Sequence, residues 1–474
     1  MNDYTTKLTT HREFYPMSDL DWSVESDRGR IISTPAFRRL QKRTQVFALE
    51  LNAAVRSRLT HSLEVSQTAR FIAKTILKKL DDPHLNTMAN AFVSTSEMAS
   101  LLHDIGNPPF GHFGETAINE WMEKCCDNYL MNLYGNEKLK EKLKKDLCSY
   151  DGNAQAIRIV HKLQRLNLSY TQTASIIKYT RGAFEDKSED DSFSYLEKKP
   201  GYYFSEKDFV ENLSETLAIK PGHRFPLTYI MEAADDISYL SADIEDAVDK
   251  GILTLDKIYE LIKVESYKVN DKYGTNETML LDIVEDNYFK AKSKEDEPYQ
   301  FNMFLTLTRA QLIYKLVNYV SNLYIENHDA IFEGSFNNAL LEFDKFHECS
   351  IAIEILQNIS VEYIYSNTQV QELELKGYAI IQGLFDIYEP LLKLTTYEFE
   401  MLLNGEKIKC LICKNLLSRL SKKHLVAYKK SVSTLKDNEN EDILEWYYRA
   451  RLVIDYISGM TDDYSLYEYQ ALTA

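Results

Sequence analysis

Residues 101 to 115 read LLHDIGNPPFGHFGE. The segment opens as the end of an apolar helix, sets His103 beside Asp104 on its last turn, and then breaks the helix with Gly106, Asn107, Pro108 and Pro109. A second histidine and a second acid, His112 and Glu115, follow at once. A packing segment has little use for two imidazoles and two carboxylates around an enforced turn, whereas a cation-binding cleft does. A lone histidine at a helix end is more often a cap or a satisfied core residue. The doublet therefore counts as evidence only if other elements bring donors to it.

Two other helices offer them. RSRLTHSLEVSQTARFIAKTILKKL, residues 56 to 80, has the apolar period of one amphipathic helix, with His61 between Leu59 and Leu63 and Arg58 one turn earlier. The helix carrying His103 is expected over roughly 95 to 105, with Ser94 and Glu97 spaced as a capping box. A third, PLTYIMEAADDISYLSADIEDAVDKG, starts near Pro226. At about 100° per residue, Asp235, Asp236, Tyr239, Asp243 and Asp246 share one side of it, and Ile230, Ala233, Ile237, Ile244 and Ala247 the other. Such a polar stripe is also what a solvated face looks like, and helical phase does not choose between Asp235 and Asp236. Together, His61, His103, Asp104 and Asp235 make a mixed nitrogen and oxygen set suited to one borderline or hard divalent ion, with positions left for water and a phosphate oxygen.

The rest of the chain fits an all-α protein. Only 16 Gly and 10 Pro occur in 474 residues, apolar residues recur every three or four positions, and no series of short alternating strands is present. We expect a helical bundle over residues 1–250 carrying the site, and a C-terminal helical region over 251–474 packing on it. Residues 182 to 206, acidic and then broken by Gly and Pro, read as a loop or lid. The net charge of -17 excludes a global attraction to nucleic acid or anionic membrane. Between Arg28 and His61 the bias reverses, with Arg30, Arg38, Arg39, Lys42, Arg43, Arg56 and Arg58 set against the single acid Glu50. That run is a solvated face, a phosphate-binding wall or a groove for single-stranded nucleic acid. No leader and no membrane-spanning apolar run is evident, so a cytoplasmic protein is expected. The six cysteines are expected to be reduced, with Cys410 and Cys413 in the core of one helix.

The order H…HD…D, within SDRGRIISTPAFRRLQKRTQVF, RLTHSLEV, LLHDIGNPPFGHFGE, DGNAQAIRIVHKLQ and EAADDISYLSADIEDAV, resembles the deoxyguanosine triphosphate triphosphohydrolase branch of the HD phosphohydrolases. DYISGMTDDY, residues 455 to 464, extends the likeness towards the C-terminus. The resemblance implies that His61, His103, Asp104 and Asp235 bind one divalent ion, most readily Mg or Mn, with Fe, Co and Zn compatible. It selects Asp235 because the family spaces an acid, a Tyr and an acid by four residues, which fits Asp235, Tyr239 and Asp243. His112 and Glu115 match the family's catalytic histidine and its partner acid. Arg58 resembles its α-phosphate arginine, and Lys178 and Lys199 its phosphate lysines, with Lys198 competing for the second place. Gln45, Tyr239 and Asp243 resemble its sugar contacts, and Asn153 and Gln155 supporting residues. The implied reaction is hydrolysis of dGTP to deoxynucleoside and inorganic triphosphate by a homo-oligomer. The competing expectations are a broad or nucleotide-regulated dNTPase, another HD nucleotide phosphohydrolase, and a nucleotide-sensing or single-strand-binding module.

Overall fold

Ser57 starts the helix that carries His61. Its hydroxyl accepts from Thr60 N at 3.4 Å while its own amide donates to the Thr60 hydroxyl at 3.0 Å, so two otherwise orphaned groups at the helix start are satisfied. The computed structural model describes residues 2–50, 52–189, 191–435 and 438–473. Its helices used below are, in chain order, α1 Leu20–Ser33, α2 Arg58–Leu80, α3 Ala89–Leu102, α4 Gly111–Asn128, α5 Gly152–Arg158, α6 Pro226–Asp249, α7 Glu297–Glu326, α8 Thr368–Leu392, α9 Leu411–Arg419, α10 Lys422–Val432 and α11 Glu441–Ser458. The all-α expectation holds. Among the described residues the strands are β1 Arg181–Gly182 and β2 Pro200–Tyr202, a short parallel pair.

Two apolar cores hold these helices. In the first, α2 lies against α3, α6 and α7, burying Val65, Ile72 and Ile76 of α2 with Phe92 and Met98 of α3 and Ile230 and Ile237 of α6. In the second, α8 lies against both α4 and α11, in a cluster that includes Ile118, Trp121, Phe385 and Trp446. Each fully buried large side chain contributes roughly 1.5–3 kcal/mol of transfer free energy. Both cores draw on chain before and after residue 250. The two histidine-bearing elements, α2 and α3, and the acid-bearing α6 belong to the same core, so packing fixes their mutual distance.

Two local expectations need correction. Ser94 and Glu97 do not cap a helix, because α3 begins at Ala89 and both residues lie inside it. Glu97 accepts instead from Arg28 Nη2 at 3.1 Å and Arg70 Nη1 at 2.8 Å. From Ala91 to Leu102 every residue of α3 is buried, small polar residues included, and a helix buried on every side has no polar face to mark its start. The described positions between 182 and 206 carry little regular structure, as expected; β1 and β2 clamp the two ends of the segment, and Gly201 lies so close to Tyr179 that a Cβ there would stand 1.8 Å from the Tyr179 carbonyl oxygen. Cys410 and Cys413 do not share a helix core as free thiols. Cys410 occupies the N-cap of α9 and is disulfide-bonded to Cys413, whose Cα is 5.5 Å away. No described helix is long and apolar enough to cross a membrane.

Candidate active site

The turn after α3 is built by close backbone approach. Gly106 lies against α5, where a Cβ would stand 1.9 Å from the Gly152 carbonyl oxygen, and a Cβ on Gly152 would stand 2.0 Å from Asn107 Oδ1. Tyr150 donates its hydroxyl to the Gly106 carbonyl at 2.8 Å. Phe110 (φ 61°) and Gly111 (φ 56°) then reverse the chain into α4. The left-handed conformation costs a non-glycine residue on the order of 1 kcal/mol, and the Phe110 amide is held there by donating to Asp462 Oδ1 at 3.1 Å.

His61, from the middle of α2, His103, from the end of α3, and Asp235, from α6, converge. His61 Nε2 lies 3.1 Å and His103 Nε2 3.4 Å from Asp235 Oδ1, and one donor atom from each of the three residues lies within 4.8 Å of the others. His103 Nδ1 donates to the Ser100 carbonyl at 2.6 Å, which fixes the ring and leaves Nε2 as the atom that faces the cluster. His61 is fully buried and its Nδ1 has no partner. Burial disfavours the charged imidazole of His103, but the carboxylates of Asp104 and Asp235 outweigh it and push its pKa up to about 9. Asp235, despite its own burial, is pulled down to about 2 by the two histidines. Converging imidazole Nε2 atoms around an ionised carboxylate are the donor set a divalent cation takes.

Asp104 stands beside this trio. Its Oδ2 is 3.4 Å from His103 Nε2 and accepts from Arg58 Nη1 at 2.7 Å. Asp236, the neighbour of Asp235 on α6, is not one of the three clustered donors. Its burial pushes its pKa up to about 8, against the opposing charge of Lys178.

His103 and Asp235 line a cavity of about 560 Å³, and the buried His61 stands behind them. Arg58, Lys178 and Lys199 reach its wall, whereas Lys198 does not. Lys178 Nζ is 3.4 Å from Glu232 and Lys199 Nζ 3.3 Å from Asp151, so each ammonium has one carboxylate and spare donors. Gln45 lines the cavity with an Oε1 that has no partner. His112 Nδ1 donates to Glu115 Oε2 at 3.0 Å, and Glu115 Oε1 accepts from Gly152 N at 2.9 Å. The Glu115 carboxyl is buried, yet the His112 ring, Lys199 and that amide hold it below its ordinary pKa.

Tyr239 lines the cavity, while Asp243 lies behind it, bonded to the hydroxyl of Tyr365, which also meets Tyr239. Asn153 is on the wall, but Gln155 donates away from it, to Asp455 at 3.0 Å. Residue-by-residue reading missed Tyr365, Val370, Leu373 and Glu374, which close the cavity from α8 and the turn before it. Nothing in that stretch, YSNTQVQELE, carries a chemical spacing that could have found them.

The chain matches the HD domain family over residues 58–189 and the phosphohydrolase-associated domain family over residues 414–471. It is 43% identical to the deoxyguanosinetriphosphate triphosphohydrolase of Klebsiella pneumoniae subsp. pneumoniae over an alignment of 510 residues that covers all of this chain and 99% of the relative. Proteins of the same name from Enterobacter sp. (strain 638) and Salmonella typhi are also 43% identical over 507 and 505 residues, with the same coverage.

Proposed function

We propose, from the premise that the chain belongs to the deoxyguanosinetriphosphate triphosphohydrolases of the HD superfamily, that it hydrolyses dGTP to deoxyguanosine and inorganic triphosphate. The observation that carries this reading is the convergence of His61, His103 and Asp235, the last two of which line a cavity whose wall also holds three cationic side chains. In this reading Asp104 completes the ligand set, and the ion is Mg or Mn. When bound, the cation supplies Lewis acidity at the α-phosphate and lowers the pKa of the attacking water.

The remaining work falls to the protein's own groups. Arg58, one turn before His61, offers a planar guanidinium to the α-phosphate, and Lys178 and Lys199 neutralise the phosphates beyond it. His112 gives its proton to the departing O5' of the sugar. Glu115, fixed by the Gly152 amide, orients the ring. Gln45, with its unpartnered carbonyl oxygen, and Tyr239 contact the deoxyribose, and Asp243 acts on it through Tyr365 and Tyr239.

Incubation of the metal-loaded protein with each of the four dNTPs, dGMP and GTP, followed by identification of products, tests the reading. Deoxyguanosine and triphosphate in equal amounts from dGTP support it. Orthophosphate released from dGMP would replace it with a nucleotidase.

A further inference from the structure

A second cavity, of about 530 Å³, opens between the N-terminus of α10, the turn after α11 and the segment at Pro35 and Arg39. It shares no lining residue with the catalytic cavity. In a chain of net charge -17, its wall carries Arg39, Lys422, Lys423 and His424 and no carboxylate.

Two of these side chains lack partners. Arg39 is half-buried, its Nε has no acceptor, and its guanidinium makes no ion pair or hydrogen bond with any described residue. His424 is 6% exposed and its Nδ1 is unpartnered. Burial of a cation and an imidazole without acceptors is costly unless something arrives to satisfy them. Ser421 makes no side-chain cap bond at the start of α10, so the first-turn amides of this helix are also left for an outside acceptor. The nearest acid behind His424, Asp455, is already engaged by Arg158, at 2.8 Å from Nε and 2.6 Å from Nη2.

We propose that this cavity binds a phosphate group, borne by a nucleotide or by free polyphosphate, and transmits its occupancy to the catalytic cavity. The link is the Ser458–Asp462 turn, three residues of which line the second cavity. Arg43 ties that turn to the His103 loop, donating to the carbonyls of Ser458 at 2.6 Å, Met460 at 3.1 Å and Ile105 at 3.3 Å. Asp462 accepts from the amides of Thr44 at 3.0 Å and Phe110 at 3.1 Å, and both residues line the catalytic cavity. The effect on turnover rests on the proposed hydrolysis of dGTP; the binding itself does not.

Equilibrium dialysis of the metal-loaded full chain against orthophosphate, tripolyphosphate, ATP and a short single-stranded oligodeoxynucleotide tests the site, with Arg39→Gln and the exposed pair Lys422→Gln/Lys423→Gln as variants. The wild type is expected to hold one more tripolyphosphate or ATP per chain than either variant, or to bind it at least about tenfold more tightly, as loss of one charge-assisted hydrogen bond dictates. ATP is expected to change dGTP turnover of the wild type and not of the variants. Without added anion, all three should turn over dGTP within about twofold of one another, since neither substitution touches the catalytic cavity. If Arg39→Gln fails to fold, the lysine pair decides. Equal phosphate binding by wild type and variants overturns the proposal, as does a response confined to the oligonucleotide. ATP binding with no change in turnover removes the coupling. Absence of dGTP hydrolysis in every sample would instead defeat the proposed function while leaving the dialysis comparison intact.

Discussion

The floor and the rim of the catalytic cavity are built on different terms. On the floor, His61 is fully buried, and the His103 side chain, 7% exposed, is anchored by a backbone carbonyl at the end of a helix that packing holds in place. On the rim, His112 stands on the first turn of α4 with its side chain 86% exposed and bonded to Glu115, and Lys199 comes from β2's approach rather than from a helix. A cation needs donors fixed to fractions of an ångström, which rigid helices provide; a substrate that must enter and leave needs groups at exposed ends and loops. The difference implies that floor substitutions remove chemistry outright and rim substitutions grade it.

The sharpest break would come from Asp235→Ala, which removes the carboxylate both histidines face. It is expected to release the metal, read by elemental analysis of the purified protein, and to lower dGTP hydrolysis by more than about a thousandfold. His112→Ala should retain the metal and lower kcat by about a hundredfold, the loss of one general acid. Equal metal loss in both variants would erase the distinction between floor and rim. Metal affinity should depend on pH with a definite sign. His103, held at about 9 without a cation, must give up its proton to bind one, so affinity is expected to rise about tenfold per pH unit and to level off above that value. Titration of the apoprotein with Mn at several pH values checks this.

Lys199→Ala, on the rim, should raise KM for dGTP by about tenfold with little change in metal content. Tyr365→Phe keeps the ring and removes only its hydroxyl contacts to Asp243 and Tyr239, and is expected to cost about fivefold in kcat/KM. A larger effect than that of His112→Ala would mean that the α8 side, rather than the His103 loop, carries the chemistry.

Legibility in the sequence follows the same division. The floor could be read because His103 and Asp104 are adjacent, His61 sits at a helix position with an arginine one turn before it, and the acids of α6 form a stripe. Helical phase alone left Asp235 and Asp236 open, since both lie towards one side; the fold separates them by turning Asp235 to the imidazoles and leaving Asp236 near Lys178. The α3 start was hidden because a wholly buried helix has no polar face. Tyr365 and Glu374 were hidden because a wall contributed from over a hundred residues downstream has no local signature; only the packing of the α8 region against the site exposes it.

The central claim is that α2, α3 and α6 bring their side chains to one cation. Anomalous diffraction from a crystal of the protein loaded with Mn measures it directly. The account predicts one strong peak per chain, bonded to His61 Nε2, His103 Nε2 and Asp235 at about 2.0–2.3 Å. A peak that contacts neither histidine, or none at full occupancy in an enzyme that still hydrolyses dGTP, would contradict it.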